Sequence, residues 1–305
     1  MRLIGVLMGY ADDDPAVQSY LAAFRAALAK LGWTEGGNLR IELRWGNGKA
    51  DKIDELANEL VKLRPDAILG VTTPVISALA RETQTIPIVF VVVADPVGSG
   101  FAASIARPGG NVTGFTNLNS TIPGKLLTIL KQITPNLARA ALLYNPDTVA
   151  RGELTGEYLQ WLNTAASAFA IKATPAEVHT PAEIEQTMQD LAREPGSGLI
   201  VMPDNFTAVH RQIIISLAAR WHIPAIYAYR FFVDDGGLIS YGVDVIDLFR
   251  RAPEYVSRIL RGENPADLPI QAPTKFELAI NLKTAKALDL LVPRILLAGA
   301  DALIE

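Results

Sequence analysis

The residues in this chain best equipped for chemistry are small, polar or aromatic, and each follows a short apolar run. Tyr10 comes after the apolar stretch 3–8, Thr72, Thr73 and Pro74 after 66–71, and Asp95 and Pro96 after Ile88–Val93. Farther along, Asn145 and Asp147 follow 140–144, Asp204 and Asn205 follow 198–202, and Tyr229 and Arg230 follow Ala225–Tyr227. A threonine before proline at a helix start leaves free amide hydrogens and a positive dipole end, which together can hold a carboxylate. Either Asp95 or Asp204 is available to meet an ammonium group. Tyr10, Tyr144, Phe206 and Tyr229 can supply flat apolar walls. The set suits a zwitterion with an apolar or aromatic side chain.

Each of these has a plainer use. Thr72 and Thr73 can simply cap a helix, and Asp95-Pro96 can organise a turn. Asp12, Asp13 and Asp14 before Pro15 read as a solvated turn that starts a helix; a hard-cation site needs more oxygen ligands than this. Catalytic templates do poorly. His179, His210 and His222 are far apart and lack metal-motif spacing. There is no Walker loop and no Gly-x-Ser-x-Gly elbow. Gly98-Ser99-Gly100 is a fragment of a dinucleotide fingerprint with Ala103 where the third glycine belongs. Asn111-Val112-Thr113 is formally a glycosylation acceptor. No catalytic residue, metal site or cofactor is expected.

The elements that must position these residues alternate between strand and helix. Residues 3–8 read as a buried strand, and Val17, Tyr20, Leu21, Phe24, Leu28 and Leu31 recur at helical spacing. Leu39–Trp45 alternates as a strand, Ile53, Leu56, Leu60 and Leu63 mark a helix, and strand 66–71, helix 74–83 and the wholly apolar strand Ile88–Val93 follow. A second set runs through helix 126–133, strand 140–144, the stripe Leu154, Tyr158, Trp161, Leu162 and Ala165, strand 171–178, helix 184–192, strand 198–202, helix 210–221 and strands Ala225–Tyr227 and 238–241. This predicts an α/β protein of two doubly wound lobes, with ligand groups at the carboxyl ends of parallel strands. Periodicity lapses over 110–121, where the lobes are expected to part.

Composition agrees. The 305 residues are 50% hydrophobic and 20% charged, enough for two ordinary cores. A net charge of −4 and basic clusters no longer than Arg250-Arg251 disfavour nucleic acid as partner. The chain has no cysteine. No apolar run reaches the roughly 18 residues needed to span a bilayer, so direct membrane insertion is not expected. Residues 3–8 fit a first strand better than the longer apolar core of a signal peptide.

Several strings are more specific than any motif above. Residues 85–101 (TIPIVFVVVADPVGSGF), 106–115 (ARPGGNVTGF), 230–242 (RFFVDDGGLISYG) and 265–290 (PADLPIQAPTKFELAINLKTAKALDL) resemble, in collinear order, the ABC transporter substrate-binding proteins of the tryptophan/tyrosine-binding type. The resemblance implies a type I periplasmic-binding-protein fold: two Rossmann-like lobes with three crossovers, near Thr116, 241–243 and 268–271. The N-terminal lobe would be 1–116 plus 243–267, and the C-terminal lobe 117–242 plus 268–305. It further implies hinge closure on a small amino-acid-like solute, delivery to a membrane permease and its ATPase, and a periplasmic location. Ligand groups would be Tyr10, Thr72, Thr73, Asp95 and Pro96 from one lobe, and Asn145, Asp204, Asn205 and Tyr229 from the other. Two positions depart from the family pattern: Thr72 stands where relatives often carry glycine, and Phe231 replaces the glutamate of an Arg-Glu-Phe-Val string. An enzyme on paired Rossmann-like lobes and the ligand-sensing core of a regulator are the alternatives. The first lacks a nucleotide loop, the second a DNA-binding head.

Overall fold

The computed structural model describes residues 1–149 and 153–305, the side chains of 153–156 excepted, so Leu154 of the expected helical stripe lies outside the described side chains. The chain forms two compact units, Met1–Leu118 with Val245–Pro273 and Asn119–Asp244 with Thr274–Glu305.

The first unit runs β1 (Arg2–Met8), α1 (Pro15–Lys30), β2 (Leu39–Trp45), α2 (Ala50–Lys62), β3 (Ala67–Val71), α3 (Thr73–Glu82), β4 (Ile88–Val93) and β5 (Val112–Thr116). Its five strands are all parallel, in the order β2-β1-β3-β4-β5. The continuous apolar runs of β3 and β4 are buried at every residue, as a sheet covered on both faces requires. Asp14 caps α1 by accepting from Ala16 N at 3.0 Å, with Pro15 at the first turn, so the acidic triplet starts a helix. Leu60, Ile53, Val75, Ile76 and Leu79 of α2 and α3 pack with Ile68, Ile88 and Phe90 in one core.

The second unit continues with α4 (Ile122–Ile133), β6 (Arg139–Tyr144), α5 (Glu153–Ala168), β7 (Lys172–Glu177), α6 (Pro181–Ala192), β8 (Ser197–Val201), α7 (Asn205–Val209), α8 (Arg211–Arg220), β9 (Ala225–Tyr227), α9 (Phe231–Asp234) and β10 (Ile239–Val243). Next, α10 (Val245–Leu260) returns to the first unit, where Phe249 stacks on Tyr20 of α1 at 5.3 Å. The chain then closes the second unit with β11 (Phe276–Asn281), α11 (Leu282–Ala287), α12 (Arg294–Gly299) and β12 (Ala302–Ile304). That sheet has seven strands in the order β12-β11-β10-β9-β8-β6-β7. β10 and β11 are antiparallel and every other pair is parallel. The first residues of β11 therefore stand level with the carboxyl end of β10.

Three expectations need correction. The two units do part within 110–121, between Leu118 and Asn119, but the stretch also contains a fully buried strand, β5. Its threonines hid it: Thr113 Oγ1 donates to Leu268 O at 2.6 Å and Thr116 Oγ1 to Ala94 O at 3.0 Å, so polar residues are satisfied inside the sheet. The third crossing falls after Pro273 rather than at 268–271. Gln271 exchanges backbone hydrogen bonds with β5 (Gln271 N to Gly114 O, 2.9 Å; Thr116 N to Gln271 O, 3.0 Å), which holds this stretch in the first unit. Finally, the helix expected over 210–221 begins at Arg211, because His210 ends α7.

Candidate ligand-binding site

The carboxyl ends of the strands form a polar crest on each unit. On the first unit, Gly9 N donates to Val71 O at 3.2 Å, and Asn47 N reaches Tyr10 O at 3.1 Å, so the ends of β1, β2 and β3 are laced together by main chain. Tyr10 is 4% exposed. Thr72 sits at the N-cap position of α3 with φ 87° and ψ 154°, yet its side chain makes no capping bond. Its Oγ1 is buried without a hydrogen-bond partner. Thr73 and Pro74 are the first two residues of α3, so the first-turn amides of Thr73 and Val75 need acceptors from outside the helix.

Val92, a buried β-branched residue, has φ 61° at a register shift between β4 and β5. Seven non-glycine residues among those described have positive φ. Arg64, Ala170, His222 and Asp289 each lie two residues past a helix end, where left-handed backbone is the ordinary stop signal. The other three, Asn47, Thr72 and Val92, fall at the carboxyl ends of β2, β3 and β4. Strain of this kind is held at sites that need a fixed geometry.

Asp95 organises its own turn, Oδ1 accepting from Gly98 N at 2.7 Å, while Pro96 O accepts from Phe101 N at 2.9 Å. Gly98, Ser99 and Gly100 belong to that turn and open no helix. Asn47 escaped the sequence reading because the crest after β2 was passed over; its signal was the Asn-Gly dipeptide, which favours left-handed turns. Its Oδ1 is buried without a hydrogen-bond partner.

On the second unit Asp204 is 5% exposed and caps α7. Its Oδ1 accepts from Thr207 N at 2.9 Å and from Thr148 Oγ1 at 3.1 Å, and Oδ2 accepts from Asn145 N at 3.1 Å. Burial pushes its carboxyl up to about 6, against these hydrogen bonds, which pull it down. Asn145 in turn accepts from Asp147 N at 2.7 Å through Oδ1. Asp204 thus clips the loop after β6 to the loop after β8. Asp95 Oδ1 is engaged in its turn, and Asp204 accepts from three of the protein's own donors, so both carboxylates shape loops. Asn205 is buried at the first residue of α7.

Tyr229, buried beyond β9, stacks on Phe231 at 5.2 Å, and Phe231 lies under the Arg211 guanidinium at 5.1 Å. The ring that replaces the family's glutamate is part of an aromatic stack continuing through Phe232 to Tyr227. The Tyr158 hydroxyl is buried without a hydrogen-bond partner, and burial and the neighbouring Tyr229 hold it strongly in the protonated form. Tyr144, expected as a wall, instead donates to Glu177 Oε1 at 2.7 Å along the sheet edge, and Phe206 packs on the His210 ring at 4.3 Å. Two charged groups complete this crest. Arg230 Nη1 lies 3.5 Å from Glu277 Oε2 and its Nε 3.4 Å from Asp234 Oδ1. Glu277, on antiparallel β11, was not picked out from the sequence; the strand's direction brings it here, and no local pattern encodes that.

His179 pairs with Asp147 at 2.8 Å, which raises its proton affinity, and half-buried His210 is pushed the other way by burial. No group of three or more His, Cys, Asp or Glu side chains able to hold a metal ion occurs among the described residues.

Residues 12–304 match the family described as ABC transporter substrate binding protein. The chain belongs to that family. A tyrosine-binding protein of Clostridioides difficile is 27% identical over 278 residues, covering 91% of this chain and 79% of that protein. The structure of a conserved domain protein from Vibrio cholerae superposes with a TM-score of 0.90 at 27% identity over 99% of both chains. A Streptococcus protein solved in complex with L-Trp gives 0.90 at 24% identity over 99% of both chains. This binding protein therefore has the type I periplasmic-binding-protein fold, and its role is capture of a small solute for an ABC transporter.

Proposed function

We propose that this chain captures an amino acid with an aromatic side chain and presents it, by closure of its two lobes, to a membrane permease and ATPase, transforming nothing. The observation that carries the reading is Thr72: a buried hydroxyl without a partner, on strained backbone, at the N-terminus of a ten-residue helix at a strand end. That is a carboxylate receptor by its chemistry. Tyr10, Thr73, Asp95 and Pro96 complete the first crest, and Asn145, Asp204, Asn205 and Tyr229 the second, with Asp95 and Asp204 shaping loops rather than touching charge. The aromatic stack from Tyr229 to Tyr227 favours a flat side chain. The tyrosine-binding relative and the L-Trp complex point the same way. The lobes correspond to the two compact units, and the family's role supports a periplasmic location.

Titration of the purified protein with the common L-amino acids by calorimetry tests this. Saturable binding of L-tryptophan, L-tyrosine or L-phenylalanine, with the ligand recovered intact, is expected. Product in the recovered ligand, or binding of none of the three, refutes it.

A further inference from the structure

Asp95 and Asp204 each hold a loop through their carboxyl oxygens, and a zwitterion needs a counter-charge. Glu277 is a further carboxylate at a strand-end crest, and it is the one drawn furthest between burial and like charge. β11 runs antiparallel to β10 with Glu277 opposite Gly242, one residue in from the β10 carboxyl end, and its Oε2 lies 3.5 Å from Arg230 Nη1 at the α9 start. It is largely withdrawn from water, with 21% of the side chain exposed.

Its compensation is poor. Arg230 approaches at 3.5 Å, longer than a well-formed charge-assisted bond of about 2.7–2.9 Å, and is shared with Asp234 at 3.4 Å. The charged groups around it are Arg230 and Asp234 at α9, Asp244 beyond β10, and Lys275 just before β11, whose carbonyl accepts from Asp244 N at 3.1 Å. Burial, Asp244 and Asp234 all push the Glu277 carboxyl up, and Arg230 alone offsets them. A carboxylate so placed gains from a further cation. A second observation marks this end of the sheet as a binding surface. The Tyr158 hydroxyl, on a side chain 1% exposed, has no hydrogen-bond partner and lies within electrostatic reach of Tyr229, the residue before Arg230. A buried hydroxyl without a partner is free to bond a polar group that a ligand brings.

The geometry points to Glu277 as the group that recognises the ligand's ammonium, with Arg230 as the positioning residue that holds it when no ligand is bound. This rests on the amino-acid reading above.

Matched pairs of ligands test it by calorimetry: L-tryptophan against 3-(indol-3-yl)propanoate, and L-tyrosine against 3-(4-hydroxyphenyl)propanoate. Wild-type protein is expected to prefer the amino acids. Glu277→Gln should weaken amino-acid binding about ten- to a hundredfold and the des-amino analogues less than about twofold, since only the former lose a charge-assisted bond. Equal loss for both members of a pair means a structural role and overturns the assignment, as does an unchanged preference. If Glu277→Gln does not fold, Arg230→Met decides: freeing the carboxylate should raise the preference for the amino acid severalfold, and an unchanged preference overturns it. Wild-type protein that binds neither amino acid overturns the amino-acid reading and this assignment together; a preference that survives Glu277→Gln overturns this assignment alone.

Discussion

Replacing Thr72 by glycine should make this protein more stable and a poorer binder. At φ 87° and ψ 154° the backbone lies in a region that glycine alone occupies freely, at a cost of about 1–3 kcal/mol for any other residue. The buried, unpartnered Oγ1 adds roughly another 1–3 kcal/mol of uncompensated desolvation. Against these stand about 0.5–1 kcal/mol of added chain entropy in the unfolded state and about 1 kcal/mol of lost side-chain burial. The balance is a gain near 1–2 kcal/mol, or a rise in Tm of roughly 3–6 °C for units of this size. Calorimetric melting of ligand-free protein reads that gain directly. Affinity should move the other way: losing a hydroxyl donor to a carboxylate weakens binding about tenfold or more. Thr72→Ala keeps the strained backbone and drops the hydroxyl, so it should lose affinity while recovering only the desolvation share of the gain in Tm, roughly half. Thr72→Ser keeps the hydroxyl and should keep the affinity. A Tm that falls by several degrees in Thr72→Gly refutes the strain argument. Undiminished affinity in both Thr72→Gly and Thr72→Ala removes Thr72 from the site.

Two further outcomes follow from other parts of the fold. Asp204 has a carboxyl raised to about 6 when folded, against about 3.9 unfolded, so between those values the native state holds a proton that the unfolded state has released. Its contribution to stability therefore falls as pH rises from about 4 to 6, by about 2–3 kcal/mol in all; urea melts of Asp204→Asn should lack that slope, and parallel pH curves for the two proteins would refute it. Gly242→Ala would put a Cβ 1.8 Å from Ala228 O, a backbone atom that cannot swing aside. The β9–β10 pairing must open to admit it, so a loss of about 3 kcal/mol or more is expected in denaturant melts, and a loss under about 1 kcal/mol would contradict the packing described here.

Buried apolar strands and amphipathic helices were legible in the sequence because burial dictates their pattern. Ile88–Val93 can only be a covered strand, and Val17, Tyr20, Leu21, Phe24 and Leu28 can only be one helix face. β5 was not legible, since Thr113 and Thr116 look like loop residues until Leu268 O and Ala94 O are seen to accept their hydroxyls. The crest residues were half legible. Strand ends flag Thr72, Asn145 and Asp204 as polar groups in the right place, yet only the fold reveals that the Thr72 hydroxyl has no partner while Asp204 holds three internal donors. Glu277 is the second residue of a short, mostly apolar strand, and its position depends on β11 running against β10. Contacts between residues distant in sequence carry information that composition and spacing do not.

The two crests are built by different means. On the first, recognition groups are set by main chain: Asn47, Thr72 and Val92 hold unusual backbone at the ends of three strands, and the other four positive-φ residues serve as routine helix stops. Backbone that costs free energy is rigid only if the surrounding sheet over-determines it, and β1, β3 and β4 are buried throughout their carboxyl halves. On the second, the loops are pinned by side chains, Asp204 above all, and the surface they frame is aromatic with one under-compensated carboxylate. Part of a zwitterion is the same in every amino acid and part is not. A rigid main-chain receptor suits the invariant carboxylate, whereas side-chain walls can be exchanged without rebuilding the sheet. Sequence changes that alter ligand choice should therefore cluster on the second crest, around Tyr229, Phe231 and Tyr158, and a change of side-chain preference produced by substitutions confined to Asn47, Thr72 and Val92 would contradict this division.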